Sequence, residues 1–209
     1  MKTLIAIPCM DHVWTMFMQA FVAMQIEGEC EITMSIGSLI YDSRNQIAQK
    51  AVVEGFDRVL WLDSDMVFLP DLFKRLAARL DEGYEYVSGL YFKRRVPHEP
   101  VVYKAIKAIR EENGNITPTA VSYRDYPKGE IFEISGSGFG AVMMTVDAIR
   151  RVIENFGLPF SPIIGFGEDL SFCMRLNELG IKRWCDSSIR LGHIGNRPIY
   201  EEDFYDPDL

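Results

Sequence analysis

The chain of 209 residues has no excess of positive charge, because 30 acidic side chains outnumber 22 basic ones and give a net charge of −8. A protein whose main partner is nucleic acid usually carries a basic surface. We therefore exclude nucleic acid as the main partner. A phosphate group in a ligand would have to be held by a metal ion, by backbone N–H groups or by a few local arginines.

Cysteine is also scarce, and the four cysteines are scattered at Cys9, Cys30, Cys173 and Cys185. The absence of a Cys-x-x-Cys pair argues against a zinc cluster. Isolated cysteines of this kind are typical of reduced thiols, so the sequence predicts a cytoplasmic protein.

No hydrophobic run is long enough for a membrane span. Residues 4–7 are apolar, but Pro8 follows at once, and this is too short for the core of a secretory signal. The most apolar stretch, residues 14–26, is also too short to cross a bilayer. It predicts a buried helix and leaves peripheral membrane contact open.

Hydrophobic residues make up 48% of the chain and charged residues 25%, the balance of an ordinary folded domain. Apolar runs alternate with segments of helical periodicity through the first 90 residues. The predicted strands are 3–7, 31–36, 59–62 and 86–90. The predicted helices are 13–27, 44–54 (capped by Asp42 or Ser43) and one from Pro70 to about Gly83. This order predicts an α/β fold, one Rossmann-like domain over residues 1–209 with a mostly parallel central sheet flanked by helices.

After Leu90 the alternation breaks. We expect a loop over 91–100 and a surface hairpin over 111–128 around the turn signal Asn113-Gly114-Asn115. Further strands are predicted at 131–135, 139–144, 182–185 and 189–192. Helices are predicted at 146–156 and from Glu168 or Asp169 to 178. The acidic tail from Glu201 is expected to be loosely attached.

Two carboxylates end the buried strand 59–62, at Asp63 and Asp65. Acids so close together repel each other and lose hydration, unless a cation neutralises them or water reaches them. Ligands bind at the carboxyl ends of strands in an open α/β sheet. The pair therefore predicts a Mg²⁺ or Mn²⁺ site that holds a phosphate-bearing ligand. An ordinary turn with solvated acids fits the same residues.

Two more candidates lie far along the chain. Glu168 and Asp169 open a predicted helix after a glycine-containing loop, where they could approach a ligand or simply cap the helix. His193 stands between small residues just after a predicted strand, and a neutral imidazole is a suitable partner for Mn²⁺ beside carboxylates.

Together these motifs resemble the GT-A fold glycosyltransferases, in a family 2-like form. Asp63-Ser64-Asp65 is similar to their Asp-x-Asp motif, and the resemblance extends over nearly the whole chain. The other matching segments are Ile5-Ala6-Ile7-Pro8, Asp42-Ser43-Arg44-Asn45, Gly136-Ser137-Gly138-Phe139, Gly167-Glu168-Asp169 with Phe172 and Arg175, and His193.

The resemblance implies a nucleoside diphosphate sugar donor and a Mn²⁺ or Mg²⁺ ion on Asp65 and His193, with Asp63 on the ribose or near the metal. Residues 1–125 would form the donor half, 126–198 the acceptor half, and 199–209 the tail. The implied donor contacts are Pro8, Cys9, Arg44, Asn45, Asp63, Ser64, Gly136, Ser137 and Gly138.

In the inverting members of that family, the second acid of the Glu-Asp pair is the base. The resemblance therefore implies that Asp169 deprotonates the acceptor hydroxyl while Glu168 orients the acceptor or the sugar. The helix N-terminus should favour the ionised form of Asp169. The acceptor, whether a glycan, a lipid-linked molecule or a protein, is left open, as is closure of Lys93, Arg94 and Arg95 over the diphosphate.

Some features depart from this pattern. The segment Pro8-Cys9-Met10-Asp11 is less polar than usual for the family, and members of similar layout retain the anomeric configuration. Three alternatives also fit parts of the sequence. They are a haloacid-dehalogenase-like phosphatase with Asp63 as nucleophile, a nucleotidyltransferase, and a non-catalytic module that binds nucleotide sugars or glycans.

Overall fold

The computed structural model describes residues 1–10, 12–37, 39–110, 114, 116–163 and 165–204. The first part of the chain alternates strands and helices as predicted. Its elements are β1 (Lys2–Cys9), α1 (Thr15–Ala23), β2 (Glu29–Ile36), α2 (Ile40–Val53), β3 (Arg58–Leu62), β4 (Met66–Val67), α3 (Leu72–Asp81) and β5 (Tyr86–Leu90).

The second part is richer in strands. Its elements are β6 (Val102–Arg110), β7 (Ile116–Ser122), β8 (Ile131–Ile134), β9 (Gly136–Ser137), β10 (Ala141–Thr145), α4 (Val146–Phe156), α5 (Glu168–Glu178), β11 (Arg183–Arg190), β12 (Gly192–Ile194), β13 (Pro198–Ile199) and α6 (Glu201–Phe204).

The central sheet has seven strands in the order β2-β1-β3-β10-β5-β11-β8. β2, β1, β3, β5 and β11 run in one direction, whereas β10 and β8 run against them. The predicted α/β fold with a mostly parallel sheet flanked by helices is confirmed. The reversed direction of β10 follows from the connection, because the chain leaves β5 at the carboxyl edge of the sheet and later enters β10 from that same edge.

Helices cover both faces of the sheet, which is why every residue of β3 is buried. Trp61 of β3 points into a core shared with α2, α4 and α5. Its neighbours Leu60 and Leu62 point into the other core, which α1 and α3 cover. The carboxyl end of β3 therefore emerges from a rigid environment, and this fixes the backbone from which Asp63 and Asp65 project.

Several predicted boundaries need correction. Helix α1 ends at Ala23 rather than at 27. Helix α2 begins at Ile40 with Leu39 as its N-cap, so neither Asp42 nor Ser43 caps it. The strands expected at 182–185 and 189–192 form one longer strand, β11, followed by β12.

The predicted surface hairpin exists but begins earlier, since β6 and β7 pair antiparallel from Tyr103 to Ser122. Its expected turn residues Asn113 and Asn115 lie outside the described residues, as does Asp11. The tail is attached at its start, because Phe204 of α6 stacks on Phe92 with ring centroids 5.5 Å apart. Residues 205–209 are outside the described range.

Among the described residues, no helix combines the length and the apolar character that a membrane crossing requires.

Candidate active site

A cleft of ≈ 240 Å³ opens at the carboxyl edge of the central sheet, beside the ends of β1 and β3 and the start of α2. It is lined by Pro8, Cys9, Met10, Ile40, Ser43, Arg44, Asp63, Ser64, Asp65 and Glu168. The predicted acids Asp63 and Asp65 and the distant Glu168 thus meet in one place.

Asp63 is tied to a buried arginine. The Arg44 Nη2 atom lies 2.7 Å from Asp63 Oδ1, and its Nε atom lies 3.4 Å from Glu168 Oε1. The guanidinium also lies 4.7 Å from the centre of the Phe139 ring, a cation–π contact. Burial raises the pKa of Asp63, and the charge of Arg44 opposes that rise. Arg44 of α2 therefore forms ion pairs with Asp63, which follows β3, and with Glu168, which begins α5.

Asp65 faces His193 instead. The Ile194 N–H donates to the Asp65 carbonyl at 2.8 Å, and β12 pairs with β4, so the imidazole is held beside the carboxylate. His193 Nε2 lies 3.5 Å from Asp65 Oδ2, and its Nδ1 lies 2.8 Å from the Phe92 carbonyl oxygen.

Because a carbonyl oxygen only accepts, Nδ1 of His193 carries the hydrogen in that contact. With a proton on Nε2 as well, the ring donates to Asp65 and lowers the pKa of that carboxyl. Without that proton, Nε2 turns a lone pair toward the carboxylate oxygen, and a cation between the two would relieve their repulsion. A backbone carbonyl that fixes the other ring nitrogen is a usual accompaniment of a metal-binding histidine.

The donor set of this pair, one carboxylate and one imidazole, suits Mn²⁺ better than Mg²⁺, because Mg²⁺ prefers oxygen ligands. Within the described residues, no group of three or more His, Cys, Asp or Glu side chains is arranged to hold a metal ion. Oδ1 of Asp63, the third predicted metal ligand, is bound to Arg44. Any ion on Asp65 and His193 would complete its coordination with water or with ligand oxygens.

Arg94 covers the pair from outside. Its Nη1 atom lies 3.1 Å from Asp65 Oδ2, and its side chain is 49% exposed. The loop that carries it is closed at its base by the Lys93 N–H, which donates to the Glu99 carbonyl at 2.8 Å. Lys93 itself pairs with Glu99, and Arg95 points to solvent. Of the three basic residues of this loop, Arg94 alone contacts the site.

Glu168 and Asp169 begin α5 and differ in surroundings. Glu168 lines the cleft beside Arg44. Asp169 is not among the lining residues, and its Oδ1 accepts the Leu170 N–H at 2.7 Å. Burial, followed by the charge of Glu168, raises the pKa of Asp169 to about 6. The Leu170 N–H at the helix N-terminus lowers the pKa of Asp169, in the expected direction, but burial outweighs it and the net shift is upward.

Not all predicted donor contacts reach the cleft. Pro8, Cys9 and Ser64 line it. Asn45 does not, and its Oδ1 instead accepts the Phe160 N–H at 2.8 Å.

The glycine segment, residues 136–138, is not among the residues that line the cleft either. The Ser137 hydroxyl lies 2.8 Å from that of Tyr86 in the core. Gly136 and Gly138 allow close packing there, because a Cβ on Gly138 would lie 2.0 Å from the Tyr91 hydroxyl.

Some site residues escaped sequence reasoning, among them Ile40 in the wall of the cleft. Tyr91 is buried, and its hydroxyl accepts the Gly140 N–H at 3.3 Å while its ring meets His193 edge-on, with centroids 5.3 Å apart. Nothing in its sequence context separates it from a core aromatic. Ser43 lines the cleft too, although the sequence suggests it only as a helix cap and as part of the segment Asp42-Ser43-Arg44-Asn45.

The sheet order and the position of the cleft define a GT-A-like α/β domain. No known protein family model matches the sequence, and no curated protein matches it. Solved structures do match. A197 from STIV aligns with a TM-score of 0.66 at 20% identity, over 97% of this chain and 92% of that one.

GalNAc-T7 with UDP, GalNAc and Mn²⁺ aligns with a TM-score of 0.59 at 10% identity, over 93% of this chain. This chain spans 44% of the GalNAc-T7 chain. At such identities the likeness shows the fold alone.

Proposed function

We propose that the protein is a metal-dependent glycosyltransferase that moves a sugar from a nucleoside diphosphate sugar to an acceptor hydroxyl. The observation that supports the proposal is the position of His193 beside the cleft residue Asp65, with Nε2 of the imidazole 3.5 Å from Oδ2 of the carboxylate. The same fold in GalNAc-T7 accommodates UDP, GalNAc and Mn²⁺, which supports a nucleotide-sugar ligand.

Asp65 and His193 would hold the metal ion, which when bound would stabilise the negative charge that develops on the leaving diphosphate. Phe92 fixes the imidazole through its carbonyl, so His193 would need no rearrangement of its ring. Pro8, Cys9 and Ser64 supply the wall on which the nucleotide would lie. Asp63 would act through Arg44, which it holds in place, rather than on the metal.

Asp169 would accept the proton of the acceptor hydroxyl as that oxygen attacks the anomeric carbon and the bond to the diphosphate breaks. A pKa of about 6 leaves it ionised near neutral pH yet basic enough to take a proton. Glu168, charge-paired with Arg44, would orient the sugar or the acceptor.

The test is thermal denaturation of the purified chain with a panel of nucleotide sugars, each with Mn²⁺, with Mg²⁺ and with EDTA. We expect at least one nucleotide sugar to raise the Tm in the presence of metal and to lose the effect in EDTA. Equal stabilisation with EDTA, or none across the panel, would contradict the proposal.

Turnover separates two of the alternatives, the non-catalytic module and the phosphatase, from the transferase. Release of free nucleoside diphosphate from the stabilising sugar nucleotide is expected of a transferase, since these enzymes hydrolyse their donor slowly without an acceptor. Binding without release would indicate a non-catalytic module. Hydrolysis of small phosphoesters that Asp63→Asn abolishes would instead indicate a phosphatase.

A further inference from the structure

The outermost strand on one side of the central sheet is β2. It pairs with β1 over all eight of its residues and has no second partner strand in the described part of the chain. Such an edge presents backbone N–H and C=O groups that can pair with another strand, and monomeric proteins commonly protect it with a lysine, a proline or a β-bulge. β2, with the sequence ECEITMSI, has none of these, and its register with β1 is unbroken.

One face of β2 is apolar and exposed. Ile32, Met34 and Ile36 alternate along the strand and are 48%, 43% and 66% exposed. In the sheet, Ile32 lies beside Ile5 and Met34 beside Ile7. Both of those β1 side chains are buried in the core that α1 covers. Neighbouring residues of paired strands point to the same face of the sheet. Ile32 and Met34 therefore lie on the face that α1 covers, but at its exposed margin.

Two long segments at this edge are uncharged, and the charge of β2 is confined to its other face, where Glu31 pairs with Lys50 of α2. Residues 13–26, which include α1, contain no Asp, Glu, Lys or Arg, and neither do residues 32–41, although a quarter of the chain is charged. A surface helix normally carries charged side chains on its outer face, yet α1 exposes Met16, Met18 and Val22. A contiguous exposed apolar surface marks an interaction site.

We propose that β2 pairs antiparallel with β2 of a second copy of this chain, so that the central sheet continues across a two-fold dimer. A lipid surface would cover the apolar side chains but would leave the outward backbone groups of the strand without hydrogen-bond partners. A second β2 satisfies those groups and buries the apolar side chains at the same time.

The strand is self-complementary, as a two-fold interface must be. In a register centred on Thr33, Ile32 of each copy lies opposite Met34 of the other, and Glu31 lies opposite Ser35. Directly opposed residues of antiparallel strands share a face, so apolar side chains meet apolar ones. Neither of the two glutamates of the strand, Glu29 and Glu31, then opposes another glutamate.

Sedimentation equilibrium of the full chain over the micromolar range measures its mass. We expect 47.8 kDa, twice the chain mass of 23.9 kDa. Met34→Lys and Ile36→Lys place a charge in the interface and should return the mass to 23.9 kDa. Leu158→Lys is the matched control, because Leu158 is an equally exposed apolar residue, at 60%, and lies outside β2 and α1. It should leave the dimer intact, and circular dichroism should show all three variants folded.

Hydrogen exchange provides a readout that does not depend on the variants. Amides of residues 29–36 should become more protected as the concentration rises, whereas amides of the opposite edge strand, β8, should not. A chain that stays at 23.9 kDa over the whole range, or a dimer that both lysine variants leave intact, overturns the proposal. Co-flotation of the monomeric chain with neutral phosphatidylcholine vesicles, lost in Met34→Lys, overturns it too and assigns the surface to lipid.

Discussion

The guanidinium of Arg94 lies 3.1 Å from Oδ2 of Asp65, the same oxygen that faces the imidazole of His193. Burial alone would raise the pKa of Asp65, but His193 and Arg94 outweigh it and hold that pKa below its ordinary value. The positively charged guanidinium of Arg94 therefore lies where the proposed metal ion would bind. Arg94 and the ion would compete for one carboxylate oxygen.

Replacing Arg94 with methionine should strengthen metal binding. Arg94→Met removes the competing charge but keeps most of the length of the side chain. We expect Mn²⁺ to bind about threefold more tightly to the nucleotide-free protein, since ion pairs of exposed arginines contribute roughly 0.2–1 kcal/mol. Isothermal titration calorimetry with Mn²⁺ measures this. Arg95→Met is the matched control and should not change the affinity, whereas weaker binding in Arg94→Met would show that Arg94 helps to hold the ion's ligands.

The two acids of Asp63-Ser64-Asp65 should respond differently to the same change. Asp63→Asn leaves the buried Arg44 with Glu168, 3.4 Å away, as its remaining carboxylate in the described structure. We expect the free energy of unfolding to fall by roughly 2 kcal/mol, since loss of one partner of a buried ion pair is costly. Asp65→Asn should change stability little but should weaken metal-dependent nucleotide binding by about tenfold or more.

Urea denaturation and calorimetry with Mn²⁺ measure the two effects separately. Asp125→Asn, on the surface next to Lys104, is the control for removal of an aspartate charge. Equal loss of stability in Asp63→Asn and Asp65→Asn would show that the two acids share one role.

Much of the fold could be predicted because its signals are local. Helices α4 and α5 have the bounds that apolar spacing and glycines indicate. The reversed strand β10 could not be predicted, since its direction depends on where the chain re-enters the sheet. The predicted start of α2, at residue 44, was wrong because tertiary contacts determine where this helix begins. The first turns of α2 carry Arg44 to Asp63 and Asn45 to Phe160, and nothing in the sequence around residue 40 shows those partners.

In the candidate site, too, some features have a local sequence signal and others depend on tertiary contacts. Asp63, Asp65, Glu168 and His193 stand out because acids and a histidine follow apolar strands or open a helix. Their different roles come from neighbours that are distant in sequence. Arg44 lies beside Asp63, whereas His193 and Arg94 lie beside Asp65. No local pattern distinguishes one acid of the pair from the other.

Asp169 should reduce stability at neutral pH. Its pKa in the folded protein, about 6, is above the ordinary value of 3.8. The protonated form is therefore favoured by folding, and the stability that it contributes is present below the unfolded pKa and lost as the pH rises through 6. Asp169→Asn should increase the free energy of unfolding by about 2 kcal/mol at pH 7.5, after allowance for partial exposure of the side chain.

Urea denaturation at pH 7.5 and at pH 5 checks this, because the advantage of the variant should shrink at the lower pH. Asp147→Asn, on the surface of α4, should show no such change between the two pH values. An advantage that is the same at both would mean that burial does not suppress ionisation of Asp169.

The same variant should separate catalysis from binding. Asp169→Asn keeps the size of the side chain and its contact with the Leu170 N–H, but an amide cannot take a proton from the acceptor hydroxyl. Donor and metal affinity should survive, while transfer with saturating donor should fall by roughly 10²–10⁴, the usual contribution of a general base. In the wild type, transfer should rise as the pH increases through about 6 and then level off, because the base works in its ionised form.

Rates of transfer at saturating donor, measured from pH 5 to pH 8 for the wild type, Asp169→Asn and Glu168→Gln, complete the test. Glu168→Gln should lose less than Asp169→Asn and should keep a pH dependence, because Asp169 remains. In Asp169→Asn the dependence around pH 6 should disappear from whatever activity is left. Near-normal transfer in Asp169→Asn would exclude Asp169 as the base, and a larger loss in Glu168→Gln would give that role to Glu168, the acid that lines the cleft beside Arg44.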